Sequence, residues 1–181
     1  MIFALALVVL GALVGLLTVA LSVAVGGGAS LFAERPQLVW LLPVTGLCSY
    51  GAYRAVGLDF SWSTARVMEA VRDGRSVPPL LAPAIIVGTA LTVLCGGSVG
   101  KEAAALQMGA STGSVLGRAF KLPPARGRDG ASDGYPGAIG MAAAFSALFF
   151  APLGSCMFVL ELVRFDRAVL RHAPAMLAAA L

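Results

Sequence analysis

From Met1 to Ala33 the sequence carries no charged side chain, and this run restricts the fold more than any other feature. About 20 apolar residues suffice to cross the hydrocarbon core of a bilayer. A secretory signal would open on basic residues and hold an apolar core of about 7 to 15 residues before a cleavage site. This run lacks the first and overruns the second, so it reads as a retained span. The rest of the chain agrees: 59% of the 181 residues are hydrophobic and 12% are charged, against about 25% charged in soluble domains. The expected fold is an all-α polytopic membrane protein, with residues 1–181 forming a single transmembrane domain.

The first span is expected over roughly residues 1–26, ending at Gly26-Gly27-Gly28, with Gly11, Ala12 and Gly15 suited to close helix contact in lipid. After Glu34 and Arg35, Pro36 suits a helix start. A second span follows over about Gln37 to Ala55, with Trp40 as an interfacial anchor. Residues 57–77 are polar. Within them Thr64 to Arg72 is amphipathic, with Val67, Met68 and Val71 on one face, Arg66, Glu69 and Arg72 on the other, and Ser63 as N-cap. Arg54, Arg66, Arg72 and Arg75 put this side in the cytoplasm by the positive-inside rule. The amino terminus, two crossings earlier, then faces the cytoplasm too, as for a protein of the cytoplasmic (inner) membrane.

Pro78 to Leu94 is a third apolar segment. A glycine-rich break from Gly96 then opens a small-residue helix reaching about Phe120. Lys121 to Pro136 reads as a solvent loop, on one side of the membrane if the central helix is re-entrant and on the other if it spans. Gly137 to Val163 is interrupted at Pro152, which predicts two half-helices meeting within the membrane. Arg164 to His172 mark an interface, and a final apolar piece runs from Ala173. Breaks before Ser63, before Lys101 and around Pro152 are the pattern of a transporter site built from helix ends.

Several functions are excluded on the way. The net charge of +4 comes from Arg residues at the ends of apolar segments rather than along one face, which fits a membrane surface and not nucleic acid. Cys48, Cys95 and Cys156 lie far apart in apolar runs and read as small buried hydrophobes rather than metal ligands. No metal or other cofactor is expected. A phosphate-binding loop needs Gly at position 95 and Ser or Thr at 102, where this chain has Cys95 and Glu102. One histidine and no nucleophile triad leave an enzyme without support.

Lys101 and Glu102 sit inside the most apolar part of the chain. An ionisable residue at the centre of a membrane helix costs about 2.5 to 3.5 kcal/mol, so such residues usually face a bundle interior or a water-filled path. Gly100-Lys101-Glu102 is a glycine turn feeding a helix N-terminus, where the dipole and free N–H groups accept an anion. A glutamate in that first turn can occupy the place itself, compete with a mobile anion and lose the competition when protonated. Glu102 is therefore the expected gate. The plainer alternative is a structural Lys101–Glu102 ion pair, with Lys101 an electrostatic helper.

Gly100-Lys101-Glu102-Ala103-Ala104, followed by Gln107, Gly109 and Gly113, resembles the G-R/K-E-G-P and Q-x-G-G-x-x-G signatures of the CLC family of chloride channels and proton/chloride antiporters. Gly140-Met141-Ala142-Ala143-Ala144 and Phe149-Phe150-Ala151-Pro152-Leu153 resemble its G-A-A-A-G-x-x-A-A-F-N-A-P-L block, and Phe158-Val159-Leu160-Glu161 its acidic stretch. The resemblance implies transport of chloride or a similar small anion, fluoride included. It makes Glu102 the external gating glutamate, with the N–H groups of Val99, Gly100, Lys101, Glu102 and Ala103 lining the path. The family's anion-contacting serine falls on Trp62, flanked by Ser61 and Ser63; either hydroxyl is a candidate ligand, with helix capping the alternative. Alanines replace the Gly-Pro after the glutamate. The antiporters' internal proton-accepting glutamate falls on Leu162, which favours passive conduction. Glu161 next to it is the substitute, or else an interfacial carboxylate near Arg164. Only the first of the family's two inverted halves is matched, so the path implies a homodimer or a partner half-chain. The contrary expectation is a non-transporting fragment or scaffold.

Overall fold

The computed structural model describes residues 2–122, 135–163 and 173–181. These form α1 (Ile2–Glu34), a 3-10 helix (Pro36–Leu41), α2 (Leu42–Ala55), α3 (Thr64–Arg72), α4 (Leu81–Leu94), α5 (Lys101–Ala119), α6 (Tyr135–Phe149), α7 (Pro152–Val163) and α8 (Ala173–Ala180). There is no β-strand among the described residues. Most of the segment expected as a loop between Lys121 and Pro136, and the interface residues Arg164 to His172, lie outside them.

The first span runs eight residues further than the sequence predicts. Three consecutive glycines weaken a helix by about 1 kcal/mol each relative to alanine, yet α1 continues through them to Glu34. The reason is packing. A Cβ on Gly28 would stand 3.3 Å from both the Ala90 carbonyl oxygen and the Leu94 nitrogen, so the missing side chain at this one position lets α4 lie against α1. Phe32, one turn on, covers Gly96 at the start of the central break. The second span also differs from expectation. Pro36 does open a helix, but as a 3-10 turn that gives way to the α-helix at Leu42. Of the three cysteines Cys95 and Cys156 are buried as expected, whereas Cys48 is exposed along an apolar cleft between α2 and α4.

α5 and α6 form the centre. Their most extensive contact is with each other, and burial runs almost all round both helices, as it does in core helices. Gly109 and Gly113 face Gly140 and Pro136 so closely that a Cβ on Gly109 would run into the Gly140 carbonyl oxygen, and one on Gly113 into that of Pro136. Small residues four apart allow such backbone approach where lipid offers no hydrophobic force between helices. α6 ends at Phe149 and α7 begins at Pro152, so the predicted pair of half-helices is present. Between them Phe150 stands with φ +53° and 91% of its surface exposed.

α1 is the one described helix both long and apolar enough to cross a membrane unaided; α4, α6 and α7 are apolar but shorter. Leu16, Val23, Trp40 and Leu47 on α1 and the segment after it are exposed, as residues facing lipid or a partner would be.

Candidate functional site

Helix N-termini follow all three breaks: Thr64 opens α3, Lys101 opens α5 and Pro152 opens α7. Each start carries about half a positive charge and up to four N–H groups that no residue of its own helix can satisfy. Its capping therefore decides whether an anion can use it. α3 is capped by Ser63, whose Oγ accepts from the Arg66 N–H at 3.3 Å. α5 has only Gly100 before it, at φ −75° and ψ 133°, and no side chain caps it. Its opening N–H groups are left to solvent or a ligand.

Glu102, the second residue of α5, turns its carboxylate back over this start. Its Oε2 lies 2.7 Å from where a Cβ on Gly100 would be. A carboxylate beside a helix N-terminus gains about 0.3 to 1 kcal/mol, the same field a mobile anion would meet. Lys101, Glu102 and Ala103 are exposed, and Val99 is 43% exposed. None of the ion pairs among the described residues involves Lys101 or Glu102, so the structural pairing between them is not formed.

Around the position of Trp62 the two serines are already engaged. Ser61 donates through its hydroxyl to Asp59 Oδ2 at 2.5 Å and through its N–H to Asp59 Oδ1 at 2.9 Å. These bonds hold the Asp59 carboxyl below the usual carboxylate range, with Arg66 adding to the effect. Arg66 itself pairs with Asp59 at 3.2 Å and lies 5.4 Å over the Trp62 ring. Ser61 therefore has its proton committed, whereas Ser63 uses only its oxygen as a cap and keeps a hydroxyl proton to donate.

The starts of α3 and α5 are held near one another by residues without an expected role. Gln107 Nε2 donates to Thr64 Oγ1 at 2.6 Å, so the first residue of α3 stands beside the second turn of α5. At 1.5 Å per residue this is about 7.5 Å along the axis from Glu102. Further down α5, Ser111 donates to the Pro78 carbonyl at 2.6 Å and Ser114 accepts from the Val77 N–H at 3.5 Å. Gln107, Ser111 and Ser114 recur at i, i+4 and i+7, a polar stripe legible in the sequence as the wrong chemistry for lipid. Glu161 is elsewhere, exposed on the last turn of α7. The next residue, Leu162, accepts from Arg72 Nη2 at 2.8 Å, so the far end of α3 reaches the end of α7. Arg164, the suggested neighbour of Glu161, lies outside the described residues. No group of His, Cys, Asp and Glu able to hold a metal occurs among the described residues.

Residues 46–181 match the family model described as voltage gated chloride channel. A chloride/fluoride channel protein of Pseudomonas syringae pv. tomato is 30% identical over 134 residues, which are 74% of this chain and 28% of that protein. The crystal structure of a CLC-type fluoride/proton antiporter superposes with a TM-score of 0.78 at 27% identity, over 98% of this chain and 45% of that one. The crystal structure of a slow cyanobacterial chloride/proton antiporter shares the fold, with a TM-score of 0.65 at 23% identity over 99% and 45% of the two chains. This chain thus spans less than half the length of each relative.

Proposed function

The chain belongs to the voltage-gated chloride channel family, and from that membership we propose that it forms half of a transmembrane path for chloride or fluoride, gated by Glu102. The observation that carries the reading is the uncapped start of α5 with the Glu102 carboxylate folded back over Gly100. The carboxylate holds the position that an anion would take; protonation releases it. The N–H groups of Val99 to Ala103 and the free hydroxyl proton of Ser63 supply donors, and Lys101 adds positive charge near the mouth. Ser61 contributes through Asp59 to the shape of the connection before α3.

Passive conduction is the mode that Leu162 favours, since an apolar residue stands where the antiporters' proton acceptor falls. Glu161 is the alternative acceptor. Because the chain covers 45% of the fluoride/proton antiporter, its helices supply part of the path, and a second copy or a complementary half supplies the rest. The membrane is the cytoplasmic one, with the amino terminus inside.

The test is chloride and fluoride efflux from liposomes holding the purified 181-residue chain, with potassium permeability supplied, for wild type and Glu102→Ala. Flux that depends on pH in the wild type and loses that dependence in Glu102→Ala is the expected result. A folded, inserted chain without flux in either form would leave the scaffold reading standing.

A further inference from the structure

The start of α3 is not held by apolar packing alone. Thr64 is its first residue, and the Gln107 amide that bonds it is 7% exposed. The other end of that amide, Gln107 Oε1, is buried with no hydrogen-bond partner. A buried polar atom left unsatisfied destabilises the fold, so leucine here would serve stability as well as or better than glutamine. The other side-chain bonds from the rest of the chain, Ser111 to Pro78, Ser114 to Val77 and Arg72 to Leu162, lie further along the same segment than its first residue. What glutamine supplies and leucine cannot is a bond of defined length between the first residue of α3 and the second turn of the helix that carries Glu102.

We propose that Gln107 and Thr64 are positioning residues that fix the separation of the α3 and α5 N-termini, and thereby set which anion the path prefers. This rests on the path proposed above. Two positive helix ends form a site whose preference between a small anion and a larger one depends on the gap between them. The Gln107–Thr64 bond ties the first residue of α3 to the second turn of α5, about 7.5 Å along the axis from Glu102, and through that tie sets how far apart the two starts stand. Neither side chain need touch the anion.

The experiment compares Thr64→Val, Thr64→Ser and Gln107→Leu with wild type, as full chains in liposomes loaded with potassium chloride or potassium fluoride. Hydrogen exchange of residues 59–66 and thermal stability are measured on the same samples. Loss of one interhelical hydrogen bond is expected to change the fluoride-to-chloride flux ratio about threefold to tenfold in Thr64→Val and Gln107→Leu. Thr64→Ser should keep the wild-type ratio, and Gln107→Leu should keep or raise the melting temperature. Exchange at Arg66, whose N–H the Ser63 cap holds, should quicken in the two broken variants only. An unchanged ratio in a conducting Thr64→Val, or the same loss in Thr64→Ser, would overturn the proposal. If the wild type carries neither anion, a path built from copies of this chain alone fails by itself. Faster exchange in Thr64→Val and Gln107→Leu, with Thr64→Ser protected, would then leave the clasp as a device of the fold alone and the selectivity role overturned.

Discussion

The space a side chain at Gly100 would need is already taken by the Glu102 carboxylate, while the backbone there is one any residue adopts. Gly100→Ala should therefore leave the fold intact, push the carboxylate off the helix start, and flatten the pH dependence of flux much as Glu102→Ala does. Efflux at pH 5 and pH 7.5 checks it; retained pH dependence would show that the carboxylate has another resting place. Phe150 presents the opposite case, a bulky residue held at φ +53°. That conformation costs a residue with a Cβ about 1 to 2 kcal/mol, and asparagine, found at this position in the family block, tolerates it best. Phe150→Asn is expected to raise stability by about 1 kcal/mol, read as a higher melting temperature in detergent. Asp59 carries a pH effect. Its folded pKa lies below its unfolded one, so its ionised form stabilises the turn before α3 above about pH 4, and that contribution fades as pH falls through the folded value. A fall in the protection of residues 61–66, taken relative to the intrinsic exchange rate at each pH, on going from pH 6 to pH 3 should disappear in Asp59→Asn. The Ser63 cap and the helix start that follows Gly100 were legible from the sequence because both are local, one a capping residue and one a glycine-led turn. The Gln107 clasp was not, because its partner lies 43 residues away in sequence.

At the level of elements, the breaks could be read and one helix end could not. α2, α3 and α4 finish with Gly57, Gly74 and Gly96 in the left-handed conformation, each followed by a residue whose N–H returns to a carbonyl five positions back. This is the Schellman end that glycine favours, and it explains why the segments of the middle of the chain stop close to where they are expected to. The Gly26-Gly27-Gly28 run looks like a stronger stop and is none; its last glycine, Gly28, lies in contact with α4, a tertiary fact. The same distinction separates the glycines of α5, which serve approach rather than turning. Filling that approach should be costly. Overpacking costs about 1 to 3 kcal/mol where side chains can yield, and at Gly113 the obstacle is the Pro136 backbone. Gly113→Leu is expected to lower the yield of folded, detergent-stable chain several-fold, with Ser30→Leu on the exposed face of α1 as the tolerated control.

The molecule as a whole shows apolar surface on the side of α1 and α2, with Trp40 83% exposed, and covers 45% of a relative with the same fold. In mild detergent the purified 18.4 kDa chain should run as two chains by light scattering; a strict monomer that still conducts would remove the need for a second half. α1 itself has 33 residues, which at 1.5 Å each make about 50 Å, while the hydrocarbon slab is about 30 Å thick. Uncharged almost to its last residue, this helix has no reason to leave the slab early and cannot stand upright within it. Tilting is one way to fit it, and a tilt carries Gly28 and Phe32, with α4 and the loop of Gly96 resting on them, towards one face. Acyl-chain length thus becomes a lever on the geometry of the gate: longer lipids let α1 rise and shorter ones lay it flatter. Flux through a series of bilayers of graded thickness should trace that lever even with every side chain left as it is.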